Sequence, residues 1–257
     1  MPGATEHPLF IPYRKWRLAA VLTLPRGEPR GLVLLLTGLA ATRSHRFGLW
    51  TRTARRLAED LSLASLRLDY AGTGDSTRYA ARWAGESWDE VGTALDFGLE
   101  AAGVGNFAVA GNCLGGRHAL RLAAERRGCA AAVCIRPDLA PAGHTTDPRG
   151  PRLADRLRRG GASGSGQRRE VDPRTRDLLL ASAPARVLFL YGEIGGRELD
   201  AAAGALDELL VKIPGTREGR LELRVLSGIS LVGFRSVESQ RRTIETVVDW
   251  MATSFGR

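Results

Sequence analysis

Residues 110–116 read Ala-Gly-Asn-Cys-Leu-Gly-Gly, and they join the apolar run Phe107-Ala-Val-Ala110 to the stretch Arg117-His-Ala-Leu-Arg-Leu-Ala-Ala124. This succession predicts a strand, a very tight turn and a helix. Gly111 and Gly115 suit such a turn because a Cβ atom has no room where the backbones of strand and helix approach each other. The stretch therefore predicts that Cys113 lies at the apex of the turn.

The spacing Gly111-x-Cys113-x-Gly115 is the nucleophile elbow G-x-S-x-G with sulfur in place of the hydroxyl oxygen. At the apex, Cys113 would be exposed at the N terminus of the helix, where the helix dipole favours the nucleophilic thiolate. The alternative is a small buried hydrophobic residue in a glycine-rich turn, which is the usual state of a free cysteine. The motif alone leaves both interpretations open.

Two further segments extend the pattern over the first half of the chain. Gly31-Leu-Val-Leu-Leu-Leu-Thr-Gly38 is a strand-like apolar run, and Arg67-Leu-Asp-Tyr-Ala-Gly-Thr-Gly-Asp-Ser76 has the form R-x-D-x-x-G-x-G-x-S. In this order, and followed by the elbow, they resemble the α/β-hydrolases, especially the serine-aminopeptidase-like esterase and thioesterase branch. The resemblance implies an α/β-hydrolase fold, with a doubly wound, mostly parallel sheet and a lid insertion. It also implies an enzyme that acts on acyl groups, although fold alone does not fix chemistry.

The rest of the chain has the alternating rhythm of such a fold. Apolar runs predict strands at 9–12, 16–24, 32–36, 63–68, 130–135, 186–191 and 220–226, and helical spacing predicts helices at 49–61, 88–102, 197–210 and 237–251. This alternation predicts a mainly parallel sheet.

Residues 136–184 break the rhythm, with helix candidates only at 153–158 and 175–182 and a Gly/Ser-rich stretch at 160–166. The resemblance implies a lid at this point, which assigns residues 1–135 and 185–257 to the core and 136–184 to the insertion. A lid would select the substrate and exclude water, and the alternative is a surface excursion without such a role.

Composition excludes several other classes of protein. The net charge is +9, but 35 of the 37 basic residues are arginines, scattered along the chain rather than interleaved with aromatic residues, so nucleic-acid binding is not expected. No apolar run approaches the ~20 residues that span a bilayer. Three cysteines without C-x-x-C spacing and the absence of a secretory signal pattern favour a cytoplasmic protein without a structural disulfide or metal site. No cofactor is expected, and a homodimer stays open.

The resemblance implies an oxyanion hole made by the backbone amides of Leu114 and of Leu39, in the loop that follows Gly38. Family members often have His-Gly where this chain has Thr37-Gly38, a departure that leaves the backbone donor in place. The segment at residues 67–76 is expected to have a structural role, in which the side chains of Asp69, Asp75 and Ser76 cap the loop backbone.

The base and the acid that should accompany the nucleophile are missing from their expected places. The loop at 226–234 contains no histidine, and Leu231 or Val232 stands where the family has its imidazole. In the preceding loop Gly195 takes the place of the aspartate, with only Glu193 nearby.

Four histidines exist elsewhere in the chain. His45, in the expected oxyanion loop, and His144, at the start of the lid, are the candidate bases, and Asp138 or Asp147 could support His144. His7 is predicted to lie at the surface. His118 is predicted to point away from the apex, because it follows Cys113 by five positions on one helix.

A thiol tolerates the loss of a base better than a hydroxyl does, because a helix N terminus can supply some thiolate at neutral pH. Hydrolysis of the acyl-enzyme is harder, since activation of water requires a general base. The sequence therefore predicts an enzyme with a Cys113 nucleophile that acts on a small-molecule or carrier-bound acyl thioester or ester, by acyl transfer, cyclisation or hydrolysis. Family analogy and composition suggest bacterial specialised-metabolite biosynthesis. The alternative is a triad-deficient protein that catalyses elimination, isomerisation or ring closure, or that only binds a ligand.

Overall fold

A computed structural model describes residues 3–38, 41–77, 87–137, 139, 173–182, 184–193 and 201–256. Within them, the strands are β1 (Ala4–Tyr13), β2 (Trp16–Pro25), β3 (Leu32–Leu36), β4 (Ala64–Leu68), β5 (Phe107–Asn112), β6 (Cys129–Ile135), β7 (Arg186–Glu193) and β8 (Leu221–Ser227). The helices are α1 (Leu49–Leu61), α2 (Ser87–Ala102), α3 (Leu114–Glu125), α4 (Pro173–Ala181), α5 (Ala201–Leu210), α6 (Pro214–Arg217) and α7 (Val237–Ser254).

The strands form one sheet in the order β1-β2-β4-β3-β5-β6-β7-β8. β1 pairs antiparallel with β2, and β2 pairs antiparallel with β4. All neighbours from β4 to β8 run parallel, so their carboxyl ends meet at one edge of the sheet. This is the doubly wound, mostly parallel sheet that the sequence predicts.

Both faces of the sheet are covered by helices, as the continuous apolar strands require. Leu34 in β3 and Val109 in β5 face a core shared with α2 and α3. Their neighbours Leu35 and Ala110 face the opposite core, shared with α1 and α7. Alternate residues of a strand point to opposite faces, so a strand that is apolar throughout serves both cores. No helix among the described residues has the length and apolarity needed to cross a membrane.

The first hairpin differs most from the predicted bounds. β1 is ten residues long and includes Pro8 and Pro12, where the sequence predicts only a short strand at 9–12. Proline cannot donate to a strand ladder, but β1 is the outermost strand and pairs only with β2, so it tolerates both prolines.

The predicted lid lies largely outside the described residues, including the helix candidate at 153–158 and the Gly/Ser-rich stretch. The described part of it contains α4, which packs against α3. Leu179 of α4 is fully buried in the same core as α2 and α3. The remainder of the lid assignment stays a prediction.

The turn between β5 and α3 is as tight as the motif predicts. A Cβ atom at Gly111 would lie 2.2 Å from the carbonyl oxygen of Gly115, and one at Gly115 would lie 2.5 Å from the carbonyl oxygen of Leu36. Both neighbours are backbone atoms, which cannot rotate away as a flexible side chain can. Glycine is therefore required at both positions by the close approach of β5, β3 and α3.

We predict that Gly115→Ala destabilises the fold by about 3 kcal/mol or more, because the added methyl group forces the backbones of β3 and α3 apart. Gly105→Ala is the matched control, since a Cβ atom at Gly105 meets nothing within 4 Å. Urea unfolding should show a change within about 1 kcal/mol for the control. Equal stability of the two variants would contradict the described elbow.

Candidate active site

Backbone strain concentrates at the carboxyl edge of the sheet. Among the described residues, seven other than glycine have a positive φ, and five of these lie in the segments that follow strands at this edge. Such conformations persist where the surrounding structure enforces them, and they cluster at functional sites. The five are Cys113 after β5, Arg136 after β6, His45 and Phe47 before α1, and Phe234 after β8.

Cys113 is exposed at the apex of the elbow, with φ 54° and ψ −116°. Its amide donates to the carbonyl of Ile135 at 3.0 Å, and its carbonyl accepts the first helical hydrogen bond of α3 from Arg117. Because the Cys113 amide is engaged, the oxyanion donor expected at this turn is the next amide, that of Leu114, at the start of α3. The interpretation of Cys113 as a buried hydrophobic residue is wrong.

The loop after β3 touches the elbow, as an oxyanion loop should. A Cβ atom at Gly38 would lie 3.1 Å from the Cβ atom of Cys113 and 3.2 Å from Nδ2 of Asn112. The absence of a side chain at Gly38 therefore lets the loop pass directly beside Cys113. Leu39, the predicted second oxyanion donor, lies outside the described residues.

Asp69 connects the turn after β4 to this loop. Its fully buried carboxylate accepts hydrogen bonds from the backbone amide and the guanidinium of Arg43, and from the amide of Asp75 at 3.1 Å. Arg43 also pairs with the carboxylate of Asp75 at 2.7 Å. Ser76 donates to the carbonyl of Asp69 at 2.7 Å and accepts from the amide of Ala19. The predicted structural role of these turn residues is confirmed.

Tyr70 lies beside Asp69 and makes a second contact with the same loop. Its hydroxyl donates to the backbone carbonyl of Thr37 at 3.2 Å. Burial raises the pKa of Tyr70, and the nearby acidic groups of Glu90 and Cys113 raise it further, so the phenol stays protonated as a donor. Glu90, on α2, is itself buried and accepts from the amide of Ala71 at 2.8 Å.

Leu231 and Val232, the two positions at which the resemblance places the family's imidazole, differ in burial. Leu231 is buried, and a Cβ atom at Gly192 would lie only 3.0 Å from its side chain, so the loop after β8 packs directly onto the end of β7. Val232 is exposed. Glu193 ends β7 and bridges Ile229 through the backbone. Gly195 lies outside the described residues.

His45 is enclosed by aromatic rings. Its ring meets those of Phe234 and Trp50 edge to face, with centroids 5.1 and 6.0 Å away. Burial lowers the pKa of His45 to about 4, so the imidazole is neutral at pH 7. Its Nδ1 atom is buried without a hydrogen-bond partner among the described residues. The structure thus places this candidate base beside the loop after β8, in contact with Phe234.

His118 points into the packing between α3 and α2, in agreement with its predicted orientation away from the apex. Its Nε2 atom shares a hydrogen bond of 2.9 Å with the hydroxyl of Ser87. Burial lowers the pKa of His118 to about 4, and the charges of Arg121 and Arg117 lower it further. His7 is exposed on β1, as predicted. The remaining candidate base, His144, lies outside the described residues, as do Asp138 and Asp147.

Cys129 and Cys134 are buried, whereas Cys113 is exposed. Burial raises the pKa of Cys129 to about 12, and it also raises the pKa of Cys134. Both thiols are therefore unreactive at neutral pH, which leaves Cys113 as the exposed cysteine of the chain. Among the described residues, no group of three or more His, Cys, Asp or Glu side chains could hold a metal ion.

Sequence reasoning missed the contributions of Arg43 and Tyr70. Tyr70 contacts the loop after β3 and Arg43 belongs to it, and the partners of both residues are distant in sequence. The sequence indicated only that Arg43 lies five residues after Gly38 and that Tyr70 directly follows Asp69.

Comparison with known proteins identifies the family. A profile of the alpha/beta hydrolase fold matches residues 31–196, well over half of the chain. The chain belongs to the α/β-hydrolase fold family. No curated protein gives a significant sequence match.

Solved structures of this fold superimpose over almost the whole chain. Est1E from Butyrivibrio proteoclasticus, solved with ferulic acid bound, has a TM-score of 0.71 and 15% identity, covering 97% of this chain and 100% of that one. An esterase from Pyrococcus furiosus has a TM-score of 0.66 and 12% identity, with 98% and 92% covered. Dienelactone hydrolase from Anabaena variabilis has a TM-score of 0.65 and 17% identity, with 98% and 99% covered. At these identities the likeness shows the fold and no more.

The two buried histidines predict a specific loss of stability in acid. Each has a folded-state pKa of about 4 and an ordinary value of 6.5. As the pH falls from 6.5 to 4, the unfolded chain takes up protons that the folded chain does not, so the free energy of unfolding decreases. The full effect is on the order of 3 kcal/mol for each histidine.

We predict that His118→Gln, which can still bond to Ser87, loses roughly 2 kcal/mol less stability than the wild type between pH 7 and 4.5. Urea unfolding at both pH values measures this, and the carboxylates common to both proteins cancel in the comparison. His7→Gln is the control, because His7 is exposed, and it should follow the wild type. A His118→Gln protein with the wild-type pH dependence would contradict the described burial.

Proposed function

We propose that the protein is an acyl-transferring or hydrolytic enzyme in which Cys113 is the nucleophile. The observation that supports this most directly is the exposed sulfur at a strained elbow, at the start of α3 and beside Gly38 of the oxyanion loop. The thiolate sulfur attacks the carbonyl carbon of an acyl substrate, and the carbonyl π electrons move to the oxygen. The amides of Leu114 and Leu39 would stabilise that oxyanion. Collapse of the intermediate breaks the bond to the leaving group and gives an acyl-enzyme thioester.

The empty imidazole position favours a thioester as the substrate. A thiolate is a stable anion that can depart without a proton, whereas the alkoxide of an ester is far more basic and needs a general acid. Leu231 or Val232 stands where the resemblance places that acid, and neither side chain can give a proton to the leaving group of an ester. An amine, alcohol or thiol, or more slowly water, then attacks the carbonyl carbon of the acyl-enzyme, and the bond to sulfur breaks to release the acyl product and return the thiolate of Cys113.

The proposal also assigns roles to the predicted lid, the candidate bases and the acyl donor. A lid within residues 136–184 would exclude water from the acyl-enzyme and favour transfer over hydrolysis. His144, if the lid carries it to the elbow, or His45 would serve as the base for the attacking group. The acyl donor would be a small molecule or a carrier-bound thioester, in a bacterial biosynthetic pathway. Est1E binds ferulic acid, so a feruloyl group is a reasonable first acyl group to test.

We predict that an electrophilic feruloyl thioester forms one covalent adduct with the wild-type protein, seen as a single mass increase in the intact chain. Cys113→Ala should form none, because the buried thiols of Cys129 and Cys134 are not reactive. Cys113→Ser should also fail, since a serine hydroxyl does not ionise without a paired base. An adduct of equal yield on Cys113→Ala would refute the proposed nucleophile.

Substrate preference provides a second prediction. We compare a thioester and an alkyl ester that carry the same acyl group. The ratio of their acylation rates, thioester over ester, should be about a hundredfold larger for the protein than for a free thiol in solution. The burst phase of product release measures both rates. Equal enhancement of the two substrates would show that a general acid operates after all.

A second candidate function is supported by the packing of Leu231 against Gly192, because it leaves a buried leucine at one of the two positions expected for the base. In this case the pocket catalyses an elimination, isomerisation or ring closure by positioning alone, or it binds a ligand. Such a protein would keep most of its activity after Cys113→Ala, whereas the nucleophilic mechanism requires that the variant be inactive.

A further inference from the structure

We propose that Tyr70 and Asp69 are positioning residues, which hold the oxyanion loop at two points on either side of its donor amide. The inference rests on the proposed function and deepens it, because it assigns residues outside the elbow to stabilisation of the acyl oxyanion. The two points are the carbonyl of Thr37, held by Tyr70, and the amide of Arg43, held by Asp69.

The first point fixes the peptide that leads into Gly38. Thr37 is fully buried, and its carbonyl accepts the hydroxyl of Tyr70 at 3.2 Å. A buried carbonyl requires a partner, so this hydrogen bond determines which way the Thr37–Gly38 peptide faces. The side chain of Thr37 donates to the carbonyl of Ala41 at 3.2 Å and ties the start of the loop to its middle.

The second point fixes the far end of the same loop. The carboxylate of Asp69 receives both the amide and the guanidinium of Arg43, and the guanidinium also reaches Asp75 at 2.7 Å. The turn packs closely against Asp69, because a Cβ atom at Gly74 would lie 2.1 Å from its Oδ2 atom. The carboxylate is fully buried, and a buried charge paired in this way resists displacement.

The loop between these points passes the nucleophile at Gly38, and its next amide is that of Leu39. Stabilisation of an oxyanion depends on donors held at about 3 Å from the place where the charge develops, and a small displacement lowers the rate strongly. Tyr70 and Asp69 are adjacent on one short turn, so a single rigid element sets both ends of the loop. This chain has Thr37 at the position where relatives often have histidine, and its carbonyl is oriented by the Tyr70 phenol.

The test compares two reactions of the same sulfur. Acylation by the feruloyl thioester passes through an oxyanion, whereas alkylation by iodoacetamide displaces iodide and forms no oxyanion. Tyr70→Phe removes one hydroxyl, and Arg43→Gln removes the ion pairs of the second point while keeping its backbone amide. Each variant should lower the acylation rate at Cys113 by about tenfold to a hundredfold. Its alkylation rate should stay within about twofold of wild type.

Two further variants control for general effects. Tyr13→Phe removes a phenol hydroxyl from a tyrosine of the edge strand β1, and it should leave both rates unchanged. Arg43→Lys keeps the positive charge beside Asp69, and it should recover part of the acylation lost in Arg43→Gln. Arg43 is partly exposed, so its variants keep the test open if Tyr70→Phe does not fold.

The outcomes separate the two levels of the proposal. If the wild-type protein is alkylated at Cys113 but never acylated, the proposed function fails. If the wild type is acylated, and Tyr70→Phe and Arg43→Gln are acylated equally fast, the function stands and the positioning role fails. A parallel loss of both reactions would also overturn it, because the variants would then have changed the thiol rather than the oxyanion loop.

Discussion

The close approach of two backbone segments at the end of β5 is the constraint on which the site depends. Gly111 and the first turn of α3 approach so closely that no Cβ atom fits between them, and Gly115 meets the end of β3 in the same way. This packing forces Cys113 into a positive φ and lifts its side chain out of the sheet. The amide of Cys113 is at the same time tied to Ile135 of β6. The unfavourable conformation is therefore enforced by the central strands, which are the most deeply buried part of the fold.

The sequence was sufficient to predict this architecture because its signals are local and repeated. Apolar runs of strand length, helical spacing and glycine pairs each act over a few residues, and α1 has the predicted bounds. The prediction was poorest where the environment determines the outcome. Pro8 and Pro12 argue against a long strand, and only the position of β1 at the edge of the sheet makes the strand acceptable.

The candidate site could be predicted only in part, for a related reason. The elbow and Gly38 can be predicted because glycine, which has no side chain, indicates a place where two backbone segments approach closely. The contacts of Tyr70 with Thr37 and of Arg43 with Asp69 join residues 26 to 33 positions apart, and no spacing rule encodes them. The aromatic enclosure of His45 likewise depends on Phe234, which follows the last strand.

The loop after β8 is held in place by packing. Leu231 lies against Gly192, while Phe234 contacts His45 and receives a hydrogen bond from Gln240 at 2.8 Å. An imidazole at position 231 would be buried without an obvious partner, and an unsatisfied buried polar group costs stability. A histidine at position 231 would thus require further substitutions around the loop to be accommodated. If Cys113 is the nucleophile, as proposed, the reaction must be one that a thiol can start with little help from this loop.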